Sequence, residues 1–378
     1  MSVAVITKDP LKELEKFLAA QVKLVERRGN FDMNDEPEEG ALAPFPELYS
    51  ALLFLKETLW DRWRRADREA LNCQRWHRRL ARIAIATGTA AILLAILQLS
   101  IKLTAPGLTV VGLMLEAIAI AAAVVAVAVG FWAKFDRRWL AQRHLAERLR
   151  MLKFRALEQL WCYETSTWRS SIEKQISDLK GIEDPKTIKE RIENWSTEEL
   201  IEPDLATSLT CEPERSLLDA LTLYYRFKRV EYQADYFDRR RRDFKRETGH
   251  WLNLSLPLFL IGVGCVIAHF ALEYVANRSG SEALKQLLED LAVWFVALAA
   301  MIPVLSLGIR AWFAAFELPR SANLFGAKHR ALKHLINQLE QDSGKVLPTL
   351  HHLAQTEHFL EHEHREWLRL LSDTEWFL

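Results

Sequence analysis

The sequence predicts an all-α membrane protein, built as two tandem two-span transmembrane hairpins with long cytoplasmic helical extensions. Three observations predict it: four charge-poor apolar runs of spanning length, basic residues gathered at one end of each run, and helical spacing of apolar residues in the polar segments beside them. A helix rises about 1.5 Å per residue, so about 20 apolar residues cross a hydrocarbon layer of about 30 Å.

Residues 1–49 form an N-terminal cytoplasmic helix and loop. The opening "MSVAVITKDPLKELEKFLAAQVKLVERRG" alternates charge with apolar residues and lacks the short apolar core of a secretory signal. Residues 30–47, with acidic residues and prolines, read as an exposed loop. Residues 50–163 make the first hairpin unit. Its lead-in carries Leu52, Leu55, Leu59, Trp63, Ala66, Ala70, Cys73, His77 and Leu80 at spacings of three and four, a seam that requires a partner helix. Spans follow at about 83–104 and 110–135, turned at Pro106 and Gly107.

Residues 164–216 are polar, tilt acidic and contain Pro185, Pro203 and Pro213, which predicts a cytoplasmic linker with short helices. Residues 217–378 form the second hairpin unit. Its lead-in seam is Leu221, Tyr225, Tyr232 and Tyr236, its spans lie at about 251–272 and 291–313, and C-terminal cytoplasmic helices follow. The outer turn "EYVANRSGSEALKQLLED" is longer than the first. Return helices near 145–160 and 332–339 are the available partners for the two seams.

Charge sets the orientation. Residues 61–82 hold eight arginines against three acids, 134–155 eight basic residues against two acids, 226–247 nine against five and 310–333 five against one. An excess of Lys and Arg marks the cytoplasmic side, so all four flanks and both termini are expected in the cytoplasm. Arg78, Arg79, Arg82, Arg137, Arg138, Arg239, Arg240, Arg241, Arg242 and Arg246 then read as membrane-surface anchors, each attracted to anionic headgroups by about 1 kcal/mol. Over the whole chain 50 Lys and Arg balance 50 Asp and Glu. That balance, with no DNA-reading element, argues against nucleic acid as a partner.

Cys73, Cys162, Cys211 and Cys265 show no paired spacing, which fits a reduced compartment without disulfides. No glycine-rich phosphate loop, GxSxG or aspartate-rich motif occurs, so neither a catalytic residue nor a cofactor is expected. The candidates for pore or ion contact are Glu116, Arg310 and His269, each with a plainer alternative. Glu116 sits where it can reach headgroups beside Lys102, Arg310 where it can snorkel at the cytoplasmic boundary, and His269 where an interfacial histidine finds a partner. Pro257 and Pro303 lie within spans three and four and are hinge candidates. No metal site is expected; His358 and His362, four apart beside Glu361, are the weak exception. The preferred reading of that segment is an exposed amphipathic helix that gains charge below pH about 6.5.

The two hairpins align in order. "RADREALNCQRWHRRLARI" runs parallel to "QADYFDRRRRDFKRETGHW", with Ala66 over Ala234, Trp76 over Phe244 and Arg78 over Arg246. Beyond the second span of each, Phe135 falls over Phe316 and Ala146 over Ala327. Both copies share one orientation, so the repeat is parallel.

An Arg- and aromatic-rich helix, a two-span hairpin with a tiny outer turn, and a return helix beginning "FDRRWLAQRHLAERLR" together resemble the SLATT superfamily, the two-transmembrane effector domain of bacterial nucleotide-signalling defence systems. The resemblance covers about 50–160 and 217–370. It implies an oligomeric membrane pore, opened by a cytoplasmic sensor protein or a nucleotide signal, that arrests an infected cell. In span two, "AIAIAAAVVAVAVG" offers small residues, Ala122 and Ala126 among them, for close packing between copies. The alternative is a non-conducting membrane scaffold whose cytoplasmic helices recruit a partner protein.

Overall fold

The computed structural model describes residues 9–24, 31–34, 39–104, 106–161, 164–182, 184, 186–197, 214–252, 254–316 and 318–372. Among them there are helices and turns and no strand. In order these are α1 (Pro10–Leu24), α2 (Glu39–Leu42), α3 (Pro46–Thr104), a 3₁₀ turn (Pro106–Leu108), α4 (Thr109–Ala133), α5 (Phe135–Glu158), α6 (Thr165–Asp178) and α7 (Ile188–Thr197). They continue with α8 (Arg215–Tyr225), a π-helical stretch (Arg226–Glu231), α9 (Tyr232–Leu252), α10 (Ser255–Ala276), α11 (Glu282–Phe316), α12 (Leu318–Gln341) and α13 (Val346–Ser372).

Two compact units result. One, the polar unit, gathers residues 1–74, 136–240 and 324–375; the other, the apolar unit, gathers 75–135, 241–323 and 376–378. The grouping cuts across the order of the two expected copies, because the lead-in and return helices gather in the polar unit.

The polar unit has one large core. Leu52, Leu55, Leu59, Trp63 and Ala66 of α3 meet Leu145, Leu149, Leu152 and Leu157 of α5, Leu221 and Tyr225 of α8, and Leu332 and Leu339 of α12. All nine positions of the first predicted seam are buried, as are Leu221, Tyr225 and Tyr232 of the second. The spacing of three and four puts those side chains on one helical stripe, and burying the stripe is what holds the long helices in register.

Three expectations need correction in this unit. Within 30–47, Phe31, Asp32 and Met33 are buried and Leu42 and Phe45 enter the core, so the segment is no exposed loop. The 164–216 stretch is more than a linker: Trp168, Ile172 and Leu179 join the main core, and Trp168 donates its indole N–H to the Ala156 carbonyl at 2.8 Å. Residues 198–213 fall outside the described residues, as do Cys162 and Cys211, while Cys73 and Cys265 are free thiols. Lastly, α13 is not an exposed helix, since Thr356, Glu357, Leu360, Glu361, His364, Arg365 and Leu368 form a buried face.

Among the described residues four helices are long and apolar enough to cross a membrane, and only 6% to 17% of each spanning window is buried. A soluble protein does not leave that much apolar surface to water, so the architecture is that of a multi-pass membrane protein. Trp132, 87% exposed at the end of α4, and Phe131 beside it supply the aromatic residues that favour a membrane–water interface. Lys134 then breaks α4 from α5 in a left-handed conformation, φ 48° and ψ 43°.

Inside the apolar unit the small residues work within one chain. A Cβ on Gly112 would lie 2.9 Å from the Gln98 side chain, and one on Gly308 would lie 2.7 Å from the Thr89 hydroxyl. Gly112, Ala126 and Gly130 are the buried residues of α4. The stripe expected to join separate copies therefore packs, at Ala126, against the chain itself, and Ala122 beside it is half-buried. The second outer turn also shrinks: α10 continues to Ala276 and α11 starts at Glu282, so residues 277–281 make the whole connection.

The pairing of Ala66 with Ala234 carries through to burial, for both are in the polar core. That of Ala146 with Ala327 does not, because Ala146 is buried and Ala327 exposed. Ala146→Leu is therefore expected to cost about 1–3 kcal/mol by overpacking. Ala327→Leu should stay within about 0.5 kcal/mol of the parent. Guanidinium unfolding of the detergent-solubilised chain measures both; equal effects would mean that the register of α12 is wrong.

Candidate functional site

The polar positions predicted within the spans fall into separate environments. Glu116, half-buried on α4, accepts a hydrogen bond from the Gln98 amide of α3 at 2.7 Å. The contact is possible because Gly112, one turn earlier, leaves room for the Gln98 side chain. Glu116 thus turns toward its own hairpin, and Gln98 is a partner that sequence reading missed. Its signal was a lone amide in "AILLAILQLSI".

His269 donates Nδ1–H to the Ala292 carbonyl of α11 at 3.2 Å and has Glu273 3.7 Å from Nε2, so both ring nitrogens have a partner within the chain. Arg310 is exposed near the end of α11. Pro303 lies inside α11, where it removes an intrahelical hydrogen bond, and Ile302 beside it packs on Gly262 of α10. Pro257 is corrected: it is the third residue of α10, in a first turn whose N–H groups have no intrahelical acceptor, so it starts a helix and kinks none.

Several of the arginines expected to anchor the chain lie against aromatic rings. The Arg79 guanidinium lies 5.5 Å from the Trp76 ring and that of Arg82 5.4 Å from Trp312; Arg240 lies 6.0 Å from Tyr236. Arg138 pairs with Glu69 at 3.0 Å. Arg79, Arg82, Arg138, Arg242 and Arg246 are exposed, while Arg78, Arg137, Arg239, Arg240 and Arg241 are half-buried. The four consecutive arginines therefore wind around α9 and do not form a single patch.

The densest chemistry lies in the polar unit, where sequence reading placed only a packing seam. Glu357 of α13 holds Arg229 through two hydrogen bonds, 2.7 and 2.8 Å, and accepts the Tyr225 hydroxyl at 2.8 Å. Glu158 of α5 is buried beside them, and its Oε1 has no hydrogen bond. Burial, and then the charge of Glu357, raise the Glu158 carboxyl well above the usual carboxylate range, which favours its neutral form. The same burial and the same charge raise the Tyr225 phenol.

A second knot lies about two to four turns back along α5. Glu147 pairs with Arg143 at 2.6 Å and with Arg150 at 2.5 Å, and Arg143 reaches Asp67 of α3 at 3.2 Å. Burial works against the Glu147 charge, but Arg143 and Arg150 outweigh it and hold the carboxyl far below its ordinary value. Beside this knot His144 Nδ1 and His364 Nε2 are 3.3 Å apart, with the Trp195 ring 4.7 Å from His144 and Trp367 stacked on His364 at 5.8 Å. Burial first, and the surrounding arginines next, outweigh Glu147 and lower His364 to about 3. His144 is lowered too, by burial and then by His364.

Glu361 completes the cluster. It takes Arg365 at 2.8 Å, Arg148 at 3.6 Å and Arg155, while Arg365 also donates to the Trp195 carbonyl at 2.6 Å. On α13 these residues follow the helical repeat 357, 361, 364 and 365, which was legible as one face; that the face was buried was not. His358 is half-buried and His362 exposed, on the other side of that helix. Among the described residues no group of three His, Cys, Asp or Glu is arranged to hold a metal ion.

No family model, curated protein or solved structure matches the chain.

Proposed function

We propose that the chain is an oligomeric effector of the bacterial inner membrane that forms or gates an ion-conducting pore. On this reading it contains two tandem hairpins, keeps both termini in the cytoplasm and serves defence, as the resemblance to the SLATT superfamily implies. The observation that carries it is the Gln98–Glu116 pair. A carboxylate and an amide bonded to each other inside an apolar hairpin are costly to place in hydrocarbon and useful beside a conducting path. The sparse burial of the spans supports assembly, since it leaves apolar faces for lipid and for further copies of the chain. Those faces are lined by larger residues such as Val124, Val125, Ile118 and Met114.

Single-channel recording in planar bilayers tests the reading. The purified wild-type chain is expected to conduct cations. One carboxylate about 8 Å from a permeating ion, at an effective dielectric of about 20, is worth about 2 kcal/mol. Glu116→Gln should therefore reduce cation over anion permeability on the order of tenfold. Absence of current from every wild-type preparation, with and without added nucleotides, would sink the pore and leave the scaffold. The scaffold has its own support: the polar unit is a separately cored helical body, more than a bare pore requires.

A further inference from the structure

Four buried cations converge on one short piece of chain, Phe31–Asn34. Arg150 Nε lies 2.6 Å and Arg229 Nη1 4.0 Å from the same Asp32 carboxylate oxygen. Lys153 Nζ donates to the Asp32 carbonyl at 2.7 Å, and Lys228 Nζ donates to the Phe31 carbonyl at 2.8 Å and the Asn34 carbonyl at 2.6 Å. Asp32 and the four cations are each at most 3% exposed. Arg150 and Lys153 stand one turn apart on α5. Lys228 and Arg229 are consecutive, and the π-helical stretch that contains them turns both toward the segment. Such stretches are rare and are frequently found at functional sites.

Asp32 fits this place imperfectly. Both of its carboxylate oxygens, and Arg150 Nε opposite, lack a hydrogen bond of good geometry although the ion pair is close. Burying that many charges is a poor route to stability alone, since apolar side chains of similar volume usually serve as well or better. A phosphate group matches the surroundings more closely. It brings about −1.5 to −2 charge and three strong acceptor oxygens. One such group replaces a carboxylate and three carbonyl oxygens, meeting the planar fork of an arginine and the point charges of lysines.

We propose that Arg150, Lys153, Lys228 and Arg229 form a binding site for a phosphate-bearing anion, and that the Phe31–Asn34 segment occupies it as an internal stand-in which the ligand displaces. The segment then acts as a competitor. Anything that loosens it without removing the cations should tighten binding of the anion.

The test uses the full chain in nanodiscs of phosphatidylcholine, with inorganic pyrophosphate as the probe. Asp32→Asn removes the competing charge, and Phe31→Ala removes the ring that packs on Tyr232 and on Lys228 while sparing every charge. Calorimetric titration is expected to show each variant binding pyrophosphate about tenfold tighter than wild type, with binding lost in Lys153→Met/Lys228→Met. Should Asp32→Asn be too unstable to titrate, pyrophosphate should raise its melting temperature more than chloride does at equal ionic strength.

Parallel samples with phosphatidylglycerol identify the source. Stabilisation of Asp32→Asn by that lipid without pyrophosphate assigns the site to a headgroup, and stabilisation by pyrophosphate alone assigns it to a free anion. If folded Asp32→Asn and Phe31→Ala bind no more tightly than wild type, or if neither phosphate source stabilises an unstable Asp32→Asn, the proposal is overturned and Asp32 is a structural counterion. These readouts need no current, so their failure is distinct from failure of the pore.

Discussion

Replacing Glu357 by alanine is expected to cost about 3–5 kcal/mol, because it leaves a buried guanidinium without its carboxylate. Arg229 is 2% and Glu357 1% exposed, so water cannot substitute for the missing partner. The loss also strips the Tyr225 hydroxyl of its acceptor side chain, leaving it the Leu353 carbonyl at 3.2 Å. One group can compensate. Glu158 is kept toward its neutral form partly by the Glu357 charge; once that charge is gone it can ionise and face Arg229. Glu158→Gln/Glu357→Ala should therefore be less stable than Glu357→Ala, whereas Glu158→Gln alone should be mild. Arg229→Met/Glu357→Leu, which removes both charges, should recover most of the loss. Guanidinium unfolding followed by far-UV ellipticity reports all four. A cost below about 1 kcal/mol for Glu357→Ala would show that this pair is not buried in the working protein.

The second large effect is a loss of stability on mild acidification, carried by His144 and His364. Above pH 6.5 both imidazoles are neutral whether the chain is folded or not, and they contribute nothing to the pH dependence. Below that value the unfolded chain takes up protons that the folded one refuses, His364 until pH about 3. Stability therefore falls as pH falls through this window. At about 1.4 kcal/mol per pKa unit, His364 accounts for roughly 4–5 kcal/mol by its lower end. Burial explains the refusal first, since it disfavours a charged imidazole; Glu147 works against it, and Arg143, Arg148 and Arg150 from α5 add their opposition to a new positive charge.

Between pH 6.5 and pH 5 ordinary carboxylates do not titrate; Glu158, raised by burial and by Glu357, works in the opposite sense there, so the histidine share is read as the difference in slope between wild type and variant. His364→Gln keeps a donor for His144 Nδ1 and should remove its share, about 2 kcal/mol of the drop across that interval. Melting temperatures at pH 7.5, 6.5, 5.5 and 5.0 measure it. An unchanged slope in His364→Gln would place the pH sensitivity elsewhere.

Span detection and helix seams were legible because both depend on local composition and on a fixed repeat. A charge-free run of 19 residues between 83 and 101 has few alternatives, and nine apolar positions at spacings of three and four define one face of a helix wherever it packs. The candidate site was legible only where a polar residue stood out against an apolar background. Glu116 was visible for that reason, and Gln98, of the same shape but uncharged, was not. The charge cluster of the polar unit was hidden for the opposite reason. Glu147, Arg150, Lys153, Glu357 and Glu361 look like solvated faces in a segment already rich in charge, and nothing local marks a lysine as buried.

The sequence by itself determined the helical class, the four spanning segments, the excess of positive charge beside them and the apolar stripes that the long helices bury. Each follows from neighbours in the chain. Only the tertiary structure decided that Asp32, far from α5 and from the π-helical stretch in sequence, lies among Arg150, Lys153, Lys228 and Arg229, and that Glu357 meets Arg229. It likewise decided that Ala126 and Gly130 are spent on packing within one chain. The physical reason is that desolvation and ion pairing depend on which groups arrive together from distant segments, and no local repeat encodes that arrival.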